Sequence, residues 1–284
     1  MSSEIRVWVD GTLVGADQPA VAALDHGVTV GDGAFETCKV TGGEVFAATR
    51  HARRLDRTLA GLGLPPADHA LIEKGAAAVL GAGEPIAFGR LRYTVTGGAG
   101  PLGSDRDASP LTYIVTAGPQ PPAPASAALA VVPWVRNERS AVAGLKTTSY
   151  AENVVALAYA KERGALEAVF ANTRGELCEG TGSNVFVVRD GVVLTPPLSS
   201  GCLAGITREL VVEWSREAGL DVREEPLPLE ALLTCDEVFI TSSTKDVLAV
   251  DRLCGELERD LEPGTVTARV AEVFAALSAE RMDP

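Results

Sequence analysis

One lysine stands where its amine could act as a nucleophile. Lys146 follows the small, apolar stretch AVAGL and precedes TTSYAE, in which Ser149 and Glu152 have the spacing of a helix capping box. An amine before a helix and in partly apolar surroundings has its charged form disfavoured by desolvation and by the positive end of the helix dipole. A neutral amine can attack a carbonyl carbon and form a Schiff base. A surface lysine without a role is the alternative when this stretch is considered alone.

A carbonyl cofactor such as pyridoxal phosphate would also need a cradle for its phosphate. Gly205 directly precedes a predicted helix, so the N–H groups of Ile206 and Thr207 could bind a dianion at the positive end of that helix. The hydroxyls of Ser243 and Thr244, at the end of a predicted strand, would add donors. An ordinary glycine-led helix start and a loop-forming pair of hydroxyl residues are the alternatives.

The pyridine ring of such a cofactor needs an acidic partner. Glu179 lies in GELCEGTGSNVFVV, between a predicted hairpin and a strand, among small residues and without a basic residue in the stretch. A carboxylate paired with the ring nitrogen keeps that nitrogen protonated, and the protonated ring is the electron sink that stabilises a substrate carbanion. A turn glutamate exposed to water is the alternative.

Two other patterns indicate little chemistry. The glycines of GGAGPLG, residues 97–103, match a dinucleotide-binding fingerprint, but a proline interrupts it and the following stretch does not read as a helix. Asp32 and Glu36 suggest a glycosidase carboxylate pair, yet their spacing in sequence fixes no separation in space. We expect a loop at the first pattern and no paired-carboxylate chemistry at the second.

The composition excludes several classes of protein. With 284 residues, 46% of them apolar and 22% charged, the chain is typical of a soluble globular protein. The net charge of −13 disfavours nucleic acids and membrane surfaces as partners. The sequence has no apolar run of the roughly 18–20 residues that a membrane span needs and no signal-peptide core, which predicts a cytoplasmic protein. Five scattered cysteines without a CxxC motif, and three histidines, predict reduced thiols and no metal site.

The elements that must position these residues are strands and helices in a mixed order. Asp10-Gly11 is a favoured hairpin turn, helices are predicted from Thr49 and over 68–80, and strands over 88–96 and from Leu111. The proline-rich segment GPQPPAPAS favours an extended connection. We therefore predict an α/β (α+β) fold with a small N-terminal α+β domain over 1–118, a linker over 119–126 and a large C-terminal cofactor-binding domain over 127–284. In the last of these, helices over 151–163 and 206–218 are combined with strands near 128–135, 168–172, 184–188, 192–195 and 237–241.

Taken in order, these motifs resemble the class IV, fold-type IV family of pyridoxal-phosphate enzymes, which includes branched-chain aminotransferases, D-amino-acid aminotransferases and aminodeoxychorismate lyases. The resemblance covers nearly the whole chain, through VDGTLV, DHGVTVGDGAFET, HARRL, GLKTTSY, ELCEGTGSNVFVV, TPPLSSGCLAGITREL and DEVFITSST. It implies two α/β domains with pyridoxal 5'-phosphate at their interface. It also implies a homodimer whose small-molecule substrates are an amino acid and a 2-oxo acid.

The resemblance further implies a role for individual residues. Lys146 would be the Schiff-base lysine and proton shuttle, and Glu179 the partner of the pyridine nitrogen. The remaining cofactor contacts would be Arg54, Ile206, Thr207, Ser243 and Thr244 at the phosphate and Leu203 against the ring. The substrate pocket would include Phe35, Arg90 and Tyr150.

Departures from each branch leave the substrate open. Phe88-Gly89-Arg90 stands where branched-chain enzymes have Tyr-x-Arg, and Thr96-Gly97-Gly98 where D-amino-acid enzymes have Thr-Arg-Gly. Ser242 replaces an asparagine that lyases can show. The predicted function is a pyridoxal-phosphate-dependent aminotransferase. The alternatives are an aminodeoxychorismate lyase, which would release pyruvate to leave 4-aminobenzoate, and a non-catalytic protein that binds pyridoxal phosphate.

Overall fold

The computed structural model describes residues 5–284, so the first four residues of the predicted N-terminal domain lie outside the described residues. The chain divides into two compact units. The first unit contains the chain up to Pro122 with Leu145–Tyr150 and Met282–Pro284, and the second contains Ala123–Gly144 and Ala151–Arg281. The division at Pro122 falls inside the predicted linker. The segment Leu145–Tyr150 corrects the predicted C-terminal domain over 127–284, because its backbone pairs with a strand of the first unit.

The first unit is built on an antiparallel sheet. Its strands are β1 (Arg6–Val9), β2 (Thr12–Val14), β3 (Gly33–Thr41), β4 (Glu44–Val45), β5 (Phe88–Thr96) and β6 (Thr112–Pro119), and its helices are α1 (His26–Thr29), α2 (Ala48–Leu62) and α3 (His69–Gly81). The strand order is β2-β1-β6-β5-β3-β4. Asp10 and Gly11 both have positive φ, as the predicted two-residue hairpin requires. Asp68 caps α3 by accepting a hydrogen bond from the Leu71 N–H.

The two faces of this sheet differ in character. Side chains alternate along β3 and β5, so Ala34, Cys38 and Val40 share one face with Leu91, Tyr93 and Val95 and pack in a core that also includes Leu55, Leu59 and Ile72 of the helices. Phe35, Thr37 and Lys39 lie on the opposite face with Arg90, Arg92 and Thr94. The sequence therefore places an apolar core on one side and a basic, hydroxyl-rich surface on the other.

The second unit is built on a larger mixed sheet. Its strands are β7 (Ser126–Arg136), β8 (Glu167–Asn172), β9 (Leu177–Gly180), β10 (Asn184–Arg189), β11 (Val192–Thr195), β12 (Val222–Glu224), β13 (Glu237–Ser242), β14 (Asp246–Gly255) and β15 (Arg259–Asp260). Its helices are α4 (Ala151–Glu162), α5 (Ile206–Glu217), α6 (Ala231–Thr234) and α7 (Thr265–Glu280). The strand order is β12-β11-β10-β13-β14-β7-β8-β9, with β15 paired to β14. The pairs β11–β12, β14–β7 and β7–β8 are parallel.

Most predicted elements form within a few residues of their predicted bounds, but the capping box does not form. Helix α4 begins at Ala151, so the predicted pair Ser149 and Glu152 is out of register with its start. The Ser149 hydroxyl instead donates to the Gly31 carbonyl at 2.9 Å. The Glu152 carboxylate accepts a hydrogen bond from Arg136 at 2.7 Å. Long-range partners for both side chains therefore prevail over the local motif.

All five cysteines are free and buried, as the sequence predicts. Among residues 5–284, no helix is long and apolar enough to cross a membrane. In the same range, the structure contains no cluster of three or more histidine, cysteine, aspartate or glutamate side chains that could hold a metal ion.

Candidate active site

The backbone of Lys146 is held against the first-unit sheet. The Lys146 carbonyl accepts a hydrogen bond from the Phe35 N–H at 3.0 Å, and its own N–H donates to the Thr58 hydroxyl at 3.3 Å. Thr147 forms an isolated bridge with Ala34 in β3. The lysine is thus fixed by β3 and by α2.

The Lys146 side chain lies against an aromatic ring. Its Nζ is 4.3 Å from the centroid of the Phe35 ring. The Tyr150 ring meets Phe35 edge to face, with the centroids 5.3 Å apart. The structure therefore brings together the predicted nucleophile and two of the three predicted substrate-pocket residues. The third, Arg90, is exposed on β5, where it pairs in register with Lys39 of β3.

Arg54 is held by a buried carboxylate. Its Nε and Nη2 donate to the two carboxylate oxygens of Glu36 at 2.8 and 2.6 Å, and the Glu36 side chain is fully buried. His51 Nδ1 lies 2.7 Å from Glu36 Oε2. Arg54 and His51 both lie on α2 and Glu36 on the facing strand β3. The predicted phosphate arginine is thus fixed by a bidentate ion pair within its own unit.

The electrostatics of this cluster follow from burial. Burial by itself would raise the pKa of Glu36, but the charge and hydrogen bonds of Arg54, with the hydrogen bond from His51, lower it to about 2. Burial lowers the pKa of His51 and outweighs the opposing effect of Glu36. At neutral pH the imidazole is therefore uncharged and donates its Nδ1–H to the carboxylate, which as an ion can only accept. The cluster contains one cation and one anion.

Glu179 of the second unit is held mainly by backbone. Its Oε2 accepts a hydrogen bond from the Leu203 N–H at 2.9 Å. Its Oε1 lies 3.6 Å from the Nε of Arg136, which comes from β7. The sequence indicates no basic residue near Glu179 because Arg136 is distant along the chain. The Leu203 N–H and the Arg136 guanidinium therefore lie at different oxygens of the carboxylate.

The start of α5 is shaped by one close contact. No side chain caps this helix, whose N-cap is Gly205. A Cβ added at Gly205 would stand 1.9 Å from the Asn184 side-chain oxygen, so any larger residue there would displace Asn184. Asn184 also donates to the Leu203 carbonyl at 2.9 Å. Asn184 therefore holds the loop that carries both Leu203 and the buried first turn with Ile206 and Thr207.

Ser243 and Thr244 lie in the turn between β13 and β14, beyond the predicted strand. The next residue in this turn, Lys245, pairs with Glu167 at 2.6 Å. Nearby, the hydroxyls of Ser183 and Thr241 are buried and make no hydrogen bond in the part of the chain that the structure describes. Thr241 lies opposite Asn184 in the β10–β13 register.

Neither the GGAGPLG stretch nor the pair of Asp32 and Glu36 forms the site that its pattern resembles. The GGAGPLG stretch is a loop, and the next element along the chain is strand β6 rather than a helix. Asp32 pairs with Arg106 at 2.5 Å, whereas Glu36 pairs with Arg54. Each carboxylate of the suggested pair is thus occupied by a different arginine.

The fold is shared with known enzymes. The branched-chain aminotransferase of Thermoproteus uzoniensis, solved with norvaline, matches with a TM-score of 0.89 and 28% identity, covering 98% of this chain and 96% of that chain. An aminotransferase from Brucella abortus bound to pyridoxal phosphate matches with a TM-score of 0.87 and 26% identity, covering 97% and 99%. The fold is that of the fold-type IV enzymes.

Sequence comparison gives the family. The model of the amino-transferase class IV family matches residues 33–253. A Methanocaldococcus jannaschii protein, provisionally named as a branched-chain-amino-acid aminotransferase, is 32% identical over 281 residues, which are 95% of each chain. A D-alanine aminotransferase from Staphylococcus epidermidis is 28% identical over 95% of this chain and 96% of its own. The chain belongs to the class IV aminotransferases, which use pyridoxal phosphate. The predicted aminotransferase is confirmed, and the lyase alternative is not favoured.

The residues present fit this cofactor, which brings a phosphate dianion, a carbonyl group and a pyridine nitrogen. The start of α5 has no side-chain cap, so its N–H groups can bind an anion. The buried hydroxyls of Ser183 and Thr241, which have no partner in the described chain, can donate to an anion as well. An ionised carboxylate held at one oxygen by an N–H suits a protonated ring nitrogen.

Sequence reasoning missed three residues of these clusters. Glu36 was considered only as a glycosidase carboxylate, although an acid in a strand facing a basic helix is a signal for a buried ion pair. Arg136 is linked to Glu179 by a strand pairing that no local pattern reveals. Arg92, whose Cζ lies 3.7 Å from the centroid of the Phe35 ring, follows Arg90 by two positions, so the alternation of a strand already places both on one face.

Proposed function

We propose that this enzyme moves an amino group between an amino acid and a 2-oxo acid, with Lys146 as the amine that bonds the cofactor. When bound, pyridoxal phosphate supplies the ring that withdraws electrons from the substrate's α-carbon. The observation that supports this role is the position of the Lys146 Nζ against Phe35, on a backbone fixed by β3 and α2.

Each remaining residue has a role that its surroundings support. The Lys146 Nζ would take up and return the proton of the substrate's α-carbon. The Glu179 carboxylate, which the Leu203 N–H and Arg136 hold in place, would pair with the ring nitrogen and keep a proton on it. The phosphate would be bound by the Arg54 guanidinium, by the N–H groups of Ile206 and Thr207, and by the hydroxyls of Ser243 and Thr244. The Leu203 side chain would lie against the ring.

Replacing Lys146 tests the proposal most directly. We expect Lys146→Ala to abolish transamination and the visible absorption of the lysine-bound cofactor, because no other amine takes its place. Lys161→Ala is the matched control, since Lys161 lies exposed in the last turn of α4. Both variants should be assayed with a panel of L- and D-amino acids. Turnover by Lys146→Ala at the wild-type rate would refute the assignment.

The substrate panel also addresses the branch of the family. The relatives reported above are named for branched-chain and D-alanine substrates. If the amino acid is consumed only when a 2-oxo acid acceptor is present, the aminotransferase is supported. Pyruvate release from aminodeoxychorismate without an acceptor would support the lyase.

The resemblance to the family also supports a homodimer, which light scattering of the purified enzyme tests. A cytoplasmic location is consistent with five free, buried thiols, because a reducing compartment preserves them. Cell fractionation would check this location.

A further inference from the structure

A buried ion pair reaches the turn between β13 and β14. Lys245 lies in this turn, directly after Ser243 and Thr244. Its Nζ donates to Glu167 Oε2 at 2.6 Å. Glu167 stands at the start of β8, and its side chain is 3% exposed, whereas that of Lys245 is 22% exposed. Solvent and salt therefore screen this contact less than they screen a surface ion pair.

The other carboxylate oxygen of Glu167 holds the turn that follows Glu179. Oε1 accepts hydrogen bonds from the Thr181 hydroxyl and, at 3.2 Å, from the Gly182 N–H. The Thr181 carbonyl accepts a hydrogen bond from the side chain of Asn153 in α4 at 2.7 Å. One buried carboxylate thus connects the β13–β14 turn to a second turn, which is itself held by α4.

The β13–β14 turn is weakly specified by its own sequence. Ser242 and Asp246 pair across it, so residues 243–245 form the loop, and the Lys245 N–H donates to the Ser242 carbonyl at 3.3 Å. Asp246 has a φ of 50°, in the left-handed region that favours glycine. A residue with a side chain adopts this conformation at a cost. A contact with the rest of the unit therefore contributes to fixing the shape of the turn.

We infer that Lys245 and Glu167 form a positioning pair, which fixes the hydroxyls of Ser243 and Thr244 for a phosphate group. The inference rests on the proposed function, because it takes those hydroxyls as phosphate donors. The pair acts through the turn and not by its own contact with the phosphate. A preformed turn binds more tightly, because it loses less conformational freedom when the phosphate binds.

The ion pair has two alternative roles. It could only stabilise the second unit, and its loss would then weaken every form of the cofactor alike. Lys245 could instead bind the phosphate by its own charge. Glu167 would then compete with the phosphate for the lysine, and loss of Glu167 would not weaken binding. A positioning pair differs from both, because removal of either member weakens phosphate binding and leaves the rest of the cofactor's contacts intact.

A comparison of two ligands isolates the phosphate. Pyridoxal 5'-phosphate and pyridoxal share the ring and the carbonyl group and differ in the phosphate alone. Each is titrated into the full-length chain after removal of its cofactor, and binding is followed by tryptophan fluorescence. In Lys245→Met, the dissociation constant of pyridoxal 5'-phosphate should rise about 10-fold, whereas that of pyridoxal should stay within about twofold of wild type.

Three further variants sharpen the test. Glu167→Gln keeps an oxygen for Thr181 and Gly182 but presents an amide to Lys245, so it should show a similar loss of affinity for pyridoxal 5'-phosphate. Adding Lys245→Met to Glu167→Gln should cost little more, since both changes remove one interaction. Lys245→Arg can still pair with Glu167 and should bind pyridoxal 5'-phosphate within about threefold of wild type. The contrast between Lys245→Met and Lys245→Arg decides the matter even if Glu167→Gln folds poorly.

Lys161→Met is the matched control, because Lys161 is an exposed lysine of α4, and both dissociation constants should be unchanged. The inference is overturned if Lys245→Met binds pyridoxal 5'-phosphate within about twofold of wild type, or if the two ligands lose affinity equally. A loss in Lys245→Met without one in Glu167→Gln would also overturn it.

The same titrations separate this inference from the proposed function. A wild-type enzyme that binds pyridoxal 5'-phosphate no more tightly than pyridoxal would refute the phosphate contacts of the proposed function. A wild-type enzyme that strongly prefers the phosphate form, together with an unchanged preference in Lys245→Met, would refute the positioning pair alone.

Discussion

The two units hold their charged site residues in different ways. In the first, Arg54 is fixed by a fully buried carboxylate that contacts two of its nitrogens and a neutral histidine. In the second, Glu179 is fixed by one backbone N–H and by a guanidinium 3.6 Å away. Replacing Glu36 leaves the buried Arg54 without its counter-charge. Replacing Glu179 by glutamine keeps an oxygen that can accept the hydrogen bond from the Leu203 N–H. Stability should therefore depend on the first cluster and chemistry on the second.

The largest expected effect on stability is that of Glu36→Gln. The substitution keeps the shape of the side chain but leaves Arg54 buried without its counter-ion, so the free energy of unfolding should fall by about 3–5 kcal/mol. Asp32→Asn removes the other bidentate arginine partner of this unit, but Arg106 is 37% exposed. In this control, the free energy of unfolding measured in urea should fall by about 0–1 kcal/mol. Equal losses in the two variants would show that burial does not set the strength of these pairs.

Acid should weaken the same cluster. The folded pKa of Glu36 is about 2 against an ordinary 4.5, so its stabilisation is present above pH 4.5 and is lost as the pH falls toward 2. This shift corresponds to about 3 kcal/mol. The folded pKa of His51 is also below its ordinary 6.5, so the unfolded chain binds a proton first as the pH falls below that value. Urea unfolding should show stability declining from near pH 6.5 and more steeply below 4.5, with the steeper part reduced in Glu36→Gln.

The smallest expected effect on stability is that of Glu179→Gln. The amide oxygen can still accept from Leu203, so the free energy of unfolding should change by less than about 1 kcal/mol. The rate should fall by about 100-fold, because a neutral amide does not hold the ring nitrogen protonated. Glu152→Gln is the matched control, since Glu152 also bonds Arg136 but is exposed. Unchanged kinetics in Glu179→Gln, with cofactor bound, would contradict its role.

The parts of the fold that follow from local chemistry could be predicted. Asp190-Gly191, like Asp10-Gly11, adopts positive φ at both positions and closes its hairpin. Strand β5 begins and ends at the predicted residues, because hydrophobic alternation and flanking glycines define it. Strands β3 and β14 and helix α7 are the longest elements that were not predicted. The C-terminal third offered fewer turn signals, and β14 is recognisable mainly through its neighbours β7 and β13.

Residue types and the order of the motifs were enough to propose the members of the site, but not the contacts that hold them. Lys146, Phe35 and Tyr150 lie together, and the Glu179 carboxylate contacts the Leu203 N–H, but their roles at a cofactor stay a prediction. The pairing of Glu36 with Arg54 was not predicted, because it joins a strand to a helix through side chains alone. Nor was the return of Leu145–Tyr150 to the first unit, which depends on backbone hydrogen bonds to β3.

That return has a practical consequence for protein engineering. Leu145–Tyr150 and Met282–Pro284 belong to the first unit, so the polypeptide switches units four times. A shortened chain that stops in the proline-rich segment would lack Lys146 and the stretch around it that pairs with β3. Chimeras that exchange one unit with a relative would need matched junctions at every switch, and a single cut would separate the amine from the sheet that orients it.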